Sequence, residues 1–277
     1  MPTSDRGRRA PSYEIRPLRS SAELATSYQL RYEAYARLGY LPGNDHRSRL
    51  DVDEYDTSSI PLGAFDARTD ELVGTLRVVA TQPRRDYEEL IRTIVAGVGD
   101  LELVRRVWHP RPRALPSIVS GAIAGELERY NHGHLPVFEM SRCIVRDDRR
   151  GEGISRGLVE LGMAYAIRPG PAILLGGCLT EHLSMYARYG FRPLRSDGAA
   201  RDHFPIVGQP AHAVVCRAPD GVPYPTQASV LAIAEAMRAG VTEHVIDLGR
   251  GRGTLARLRP VDLDDAAESA APGSQIS

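Results

Sequence analysis

The stretch from Phe138 to Val159 constrains this chain more than any other. Phe138-Glu-Met-Ser-Arg-Cys-Ile-Val-Arg146 has the apolar, β-branched character of a strand. Asp147-Asp-Arg-Arg-Gly-Glu-Gly153 is a tight loop, and Gly151 and Gly153 admit backbone angles closed to other residues. Ile154, Leu158, Leu161 and Tyr165 then fall at i, i+4, i+7 and i+11, a single buried helix face. Such a strand–loop–helix aims free N–H groups and the positive end of a helix dipole at one point, a site for phosphate. Arg149, Arg150 and Arg156 add positive charge around it. A helix N-cap loop without a ligand fits the same residues.

Around this centre the remaining elements read in order. Residues 1–11 are polar and Arg-rich, a disordered leader. Ser12–Leu18 is a short strand, and Ser20-Ser-Ala-Glu23 is a capping box that starts a helix to about Leu38. Leu24, Tyr28 and Leu30 point to the core, with Arg31 and Tyr35 four apart on one side. A long polar loop carries the acidic run Asp51-Val-Asp-Glu-Tyr-Asp56. Ile60–Phe65 and Leu72–Thr81 form a hairpin with Arg77 inside its second strand. A buried arginine needs a carboxylate, and the acidic run or Glu139 can supply it. Helices over Asp86–Val98 and Pro116–Tyr130 make an insertion at 83–130. Pro171–Cys178 is a buried strand, Thr180–Gly190 a short helix, Ala211–Cys216 a last strand and Thr226–Arg238 a helix. The chain beyond Gly249 is Arg/Gly-rich and then acidic, a flexible tail. The whole is an α/β mixed sheet with helices on its faces. It divides into the leader, a main domain at 12–217, a C-terminal helical extension at 218–248 and a tail at 249–277.

Composition removes several classes. Basic and acidic residues balance, 35 against 35, so no nucleic-acid role follows. All the basic residues are arginine, which excludes lysine-based chemistry. No apolar run approaches the ~20 residues of a membrane span, and the start lacks the apolar core of a signal peptide. Three cysteines in apolar stretches fit a reduced, cytoplasmic protein. The histidines show no paired metal spacing beyond His132-Gly-His134, which reads as loop chemistry.

Arg150-Gly-Glu-Gly153-Ile-Ser155 resembles the (Gln/Arg)-x-x-Gly-x-(Gly/Ala) loop of the GNAT N-acyltransferase superfamily, with Ser155 at the final Gly/Ala position. A frame two residues earlier restores that glycine but places Asp148 at the basic position. The resemblance covers about residues 12–217 and includes Tyr186-Ala-Arg-Tyr-Gly-Phe191. It implies the GNAT fold and a loop that grips the phosphates and pantetheine arm of an acyl donor. Cys143, Ile144, Val145, Arg150, Gly151, Gly153, Ile154 and Ser155 would form that donor side.

Four further segments are more specific. They are Leu30-Arg31-Tyr-Glu-Ala-Tyr35-Ala-Arg-Leu-Gly-Tyr40, Asp53-Glu-Tyr-Asp56, Gly74-Thr-Leu-Arg77 and Glu139-Met-Ser-Arg142. Together they resemble the long-chain N-acyl amino acid synthases and the acyl-homoserine lactone synthases. By that resemblance Arg31, Tyr35, Asp53, Asp56 and Arg77 order the acceptor side, and Glu139 and Arg142 stand beside the reacting amine. Tyr186 stands where the superfamily places its proton donor. A structural ion pair at Glu139 and Arg142, and a packed surface tyrosine at 186, fit the same residues. Strand parity sets 139 and 142 on opposite faces, so a shared site requires a bulge between them.

The implied activity is transfer of a medium or long acyl group to the amine of an amino acid or similar small molecule. The donor is a thioester on acyl carrier protein or coenzyme A, used as co-substrate, with no permanently bound cofactor. The alternatives are a homoserine lactone synthase, against which Leu41-Pro42 and the C-terminal extension count, and a non-catalytic thioester sensor. The insertion at 83–130 is expected to form a lid or tunnel for the acyl chain.

Overall fold

The computed structural model describes residues 12–41, 47–82, 84–109, 114–132, 134–194, 211–248 and 253–258. The leader at 1–11 and the last part of the expected tail, 259–277, lie outside them. The first half contains β1 (Tyr13–Pro17), α1 (Ser21–Leu38), β2 (Ser59–Asp66), β3 (Leu72–Val79), α2 (Arg85–Val98), α3 (Leu101–Val107) and α4 (Gly121–Tyr130). The second half contains β4 (Val137–Val145), α5 (Ile154–Ile167), β5 (Ala172–Leu179), α6 (Leu183–Ala187), β6 (Arg192–Pro193), β7 (Ala211–Ala218), α7 (Thr226–Arg238), β8 (Glu243–Asp247) and β9 (Gly253–Arg257). All the described strands join one sheet in the order β6-β7-β5-β4-β3-β2-β1-β9-β8.

Helix α1 begins as its sequence dictates. Ser20 Oγ accepts the Glu23 N–H at 3.1 Å, and the Glu23 carboxylate reaches back to the Arg19 N–H at 2.7 Å. Leu24, Ser27, Tyr28 and Arg31 are buried at i, i+3, i+4 and i+7, whereas Leu30, expected in the core, is half-buried. Leu24 and Tyr28 pack with Tyr87, Ile91 and Ile94 of α2 on one face of the sheet. On the other face Leu158, Leu161 and Tyr165 of α5 pack against Leu62, Val78 and Met140, and α7 adds Val230 and Ile233.

Three expectations are corrected. Helix α4 starts at Gly121 rather than Pro116, because Ser120 caps it by accepting the Ile123 N–H at 3.3 Å. The Ser117 N–H is meanwhile taken by the Glu139 carboxylate. Helix α3, capped by the Asp100 side chain, lies in the insertion where no helix was expected. The stretch read as tail contains β9, which runs parallel beside β1 with Tyr13, Glu14 and Ile15 opposite Thr254, Leu255 and Ala256. Thr254 and Ala256 become fully buried, so this edge of the sheet is closed by the C-terminal extension rather than left to solvent.

Candidate active site

The site grows from an irregularity in β4. Thr75 of β3 faces Ile144, but Arg77 faces Ser141, so two residues of β4, Arg142 and Cys143, lie opposite Leu76 alone. Arg142 has φ +55°, in the left-handed region that non-glycine residues seldom occupy. This is the bulge that parity demanded. It turns Arg142 to the α1 face, where Glu139 also lies, and leaves Cys143 on the wall of a cleft. Strand β4 pairs with β5 only where Val137–Glu139 meet Ile173–Leu175, and beyond Glu139 the strands part.

On the α1 face three arginines and three aspartates close into a ring. Arg31 reaches Asp51 at 2.9 Å and Asp56 at 2.8 Å. Arg77 reaches Asp56 at 3.0 Å and Asp53 at 2.6 Å, and donates to Ser141 Oγ at 2.9 Å. Arg142 returns to Asp53 at 3.2 Å and Asp51 at 2.8 Å, with its guanidinium over the Tyr35 ring. The charges cancel within the ring. Burial alone would raise the carboxyls, but the guanidiniums of Arg142 and Arg31 beside Asp51, and of Arg77 and Arg142 beside Asp53, hold both below the usual carboxylate range. Asp53 and Asp56 also accept backbone N–H groups of the acidic run itself, so the ring ties that loop to the sheet.

Glu139 lies outside this ring. It is 2% exposed, and its Oε2 accepts the Ser117 N–H at 2.7 Å. Burial pushes its carboxyl up to about 7, against the hydrogen bonds from Ser117 and the charges of Arg77 and Arg142. A carboxyl poised there exchanges a proton near neutral pH.

On the donor side a cleft of about 710 Å³ runs from the N-terminus of α5 to the parted strands. Every donor-side candidate lines it: Cys143, Ile144, Val145, Arg150, Gly151, Gly153, Ile154 and Ser155. So do Tyr35 and Tyr186, whereas Arg31, Asp53, Asp56, Arg77, Glu139 and Arg142 lie behind its wall. Arg149 reaches Asp66 at 3.1 Å, and Arg150, well exposed, reaches Asp147 at 2.6 Å. Arg156 turns away to the buried Glu160, which also accepts from Ser229 of α7, so it serves the helix and not the cleft.

The loop itself is held from behind. Gly153 has φ +87°, and a Cβ there would lie 3.1 Å from Leu248. A Cβ on Gly157 would come within 2.5 Å of Ile15. The Tyr13 hydroxyl donates to the Glu152 carboxylate. Glycine at these positions therefore lets the α5 N-terminus sit directly on β1 and the end of β8.

Tyr186 sits across the parted strands, its hydroxyl 3.4 Å from the Gly177 carbonyl and its ring edge-on to Phe191. Burial pushes its phenol well above the ordinary value, so it stays protonated. The insertion does not meet expectation. Among the described residues none of 83–130 lines this cleft: α2, α3 and Leu115 spend their apolar faces on the sheet and α1, and Ile123 of α4 packs behind the cleft-lining Leu179 and Tyr40. Sequence reasoning missed Ser117, whose contribution is a backbone N–H that no side-chain pattern signals. It also left Asp51 out of the site, although Asp51 opens the same acidic run, and it missed Leu248. Among the described residues no helix is long and apolar enough to cross a membrane, and no three His, Cys, Asp or Glu side chains are grouped as metal ligands.

Residues 30–96 match the family model described as an acetyltransferase (GNAT) domain. No curated protein matches the chain. Among solved structures, FeeM, an N-acyl amino acid synthase from uncultured soil microbes, superimposes with a TM-score of 0.52 at 16% identity, over 76% of this chain and 94% of its own. BjaI, a CoA-dependent acyl-homoserine lactone synthase solved with SAM and isopentyl-CoA, gives 0.51 at 15% identity, over 94% of this chain and 100% of its own. The α/β mixed sheet, with its C-terminal helix, is that of the GNAT acyltransferase fold.

Proposed function

We propose that this protein transfers an acyl group from a thioester, on coenzyme A or acyl carrier protein, to the primary amine of a small amino-acid-derived acceptor. The bulged, parted β4 carries the reading. It sets Glu139, with its carboxyl near 7, behind the wall of the donor cleft that Tyr35 and Tyr186 line. The donor's phosphates meet the N-terminus of α5 with Arg150 released from Asp147, and its pantetheine arm follows Cys143–Val145.

The chemistry then balances as follows. The amine nitrogen attacks the thioester carbon, and the oxygen takes up charge against the N–H groups freed at the bulge. The C–S bond breaks as the amide forms. The proton lost by nitrogen passes to Glu139 through an intervening water, since Glu139 stands back from the wall. The departing sulfur leaves as a thiolate that accepts a hydrogen bond from Tyr186. A phenol held so high donates that bond without parting with its proton, so solvent supplies the thiol's proton. Tyr186→Phe is therefore expected to lower kcat about tenfold to a hundredfold with little change in KM, measured by thiol release.

The lactone synthase reading gains from one observation. BjaI spans nearly the whole of this chain, so the C-terminal extension no longer counts against it. An acceptor of the S-adenosylmethionine type is thus the leading candidate, ahead of a free amino acid. The purified protein would be incubated with acyl thioesters and, separately, S-adenosylmethionine and pooled amino acids, with products read by mass spectrometry. A new N-acyl mass identifies the acceptor. Thioester binding without any acyl product would leave a non-catalytic sensor.

The packing of Leu248 on Gly153 gives a separate expectation. Leu248→Ala should weaken coenzyme A binding about fivefold to tenfold by calorimetry, because the loop loses its apolar backing. Unchanged affinity would show that the C-terminal strands are irrelevant to the donor loop.

A further inference from the structure

Where β4 and β5 part, the cleft gives off a side cavity of about 40 Å³. Cys143 and Tyr186 belong to both spaces and form the mouth, while Leu76, Met140, Val159 and Phe191 line the interior. Tyr189 adds a phenol to the interior and Ser155 a hydroxyl at the mouth, but the other interior walls are apolar, so the cavity suits hydrocarbon better than a polar head group. Its position follows from the bulge. Cys143 stands at the mouth because β4 carries one residue more than β3 there.

The depth is set by the main core. Leu76, Met140 and Phe191 are at most 5% exposed and belong to the same packed cluster as α5 and α7. Close-packed interiors resist the insertion of even single methylenes. A dry protein cavity that takes a six-carbon benzene ring measures about 150 Å³. On that scale the cavity holds about two carbons, and the reacting carbonyl and its neighbouring carbon lie outside it in the cleft, about four in all. Among the described residues of the insertion at 83–130 none lines this cavity or the cleft.

Resting on the acyl-transfer reading, we infer that the donor carries a short acyl group, from acetyl to a four-carbon straight or branched chain, with Met140, Val159 and Phe191 as the stop. This reverses the medium or long chain that the sequence resemblance implied.

The test is a donor series. Acyl-coenzyme A thioesters from two to sixteen carbons would be compared by kcat/KM with the acceptor found in the product screen. The expected profile peaks at four carbons or fewer and falls at least tenfold by eight. Val159→Ala, which suits a helix and cannot cost much of the fold, should move the peak longer by about one carbon, and Met140→Ala by two or more. A peak at eight carbons or beyond, a flat profile, or no response to either variant would overturn the inference while leaving acyl transfer intact. No product with any donor, from protein shown by calorimetry to bind coenzyme A, would remove the transfer reading and this inference with it.

Discussion

Glu139→Gln is expected to lower kcat about 10²- to 10⁴-fold while coenzyme A still binds, the usual contribution of a positioned general base. Glutamine keeps an oxygen for the Ser117 N–H and the volume of the side chain, so the loss isolates the proton-accepting role. The wild type should show kcat/KM rising with pH through about 7, the value to which burial lifts this carboxyl. The same shift makes an opposite prediction for stability. The folded value lies above the ordinary 4.5, so the native state holds the proton more tightly than the unfolded chain. The stability this provides is complete below about 4.5 and is lost as pH rises through about 7. Glu139→Gln should therefore leave stability at pH 5 nearly unchanged and raise it at pH 8 by an amount on the order of 2–4 kcal/mol, measured by urea unfolding. A variant that loses stability at pH 8 along with activity would mark Glu139 as a structural group and end its case as the base.

Arg31→Ala should destabilise the protein by about 3–5 kcal/mol, because Asp51 and Asp56 are left buried beside a missing cation. Arg142→Ala should cost less, since that side chain is 28% exposed and water can replace it. Acid should weaken the ring as well. Asp51 and Asp53 are held below the ordinary carboxylate value, so their contribution is present above that value and is lost as pH falls through the lowered folded values. Urea midpoints at pH 7 and pH 3 for the wild type and both variants separate these effects. If Arg31→Ala and Arg142→Ala cost the same at pH 7, the ring does not act through burial.

This division of labour alters the reading of the acceptor side. The resemblance groups Arg31, Asp53, Asp56 and Arg77 with the acceptor, and the structure closes them, with Asp51 and Arg142, into a neutral ring behind the cleft wall. Such a ring has no spare charge for a substrate. It ties the acidic loop to the bulged strand, so in the proposed reaction Arg142 is a positioning residue and Glu139 the group that takes the proton.

Much of the site was legible because it rests on local rules. The glycine loop, the helix face of Ile154, Leu158 and Leu161, the capping box at Ser20 and the need of Arg77 for an aspartate all follow from backbone freedom, periodicity and the cost of burying charge. Parity between residues 139 and 142 even required the bulge. What stayed hidden depends on distant chain segments meeting. The Ser117 N–H reaches Glu139 across 22 positions without any side-chain signature. β9 reads as an Arg/Gly-rich tail until β1 offers it an edge, and Leu248 backs the donor loop only because that pairing brings it there.

The sequence by itself thus determined which residue types the chain brings to the candidate site: a glycine loop opening a helix, a carboxylate on the central strand, a tyrosine near it, and the charges that must pair. Only the tertiary structure decided how those charges divide, that the described helices of the insertion pack into the core, and how much room lies beyond Tyr186. Charge pairing and helix periodicity are short-range properties of residue type. Cavity volume and the set of partners around a buried group are sums over segments far apart in the chain, and they exist only once the sheet has closed.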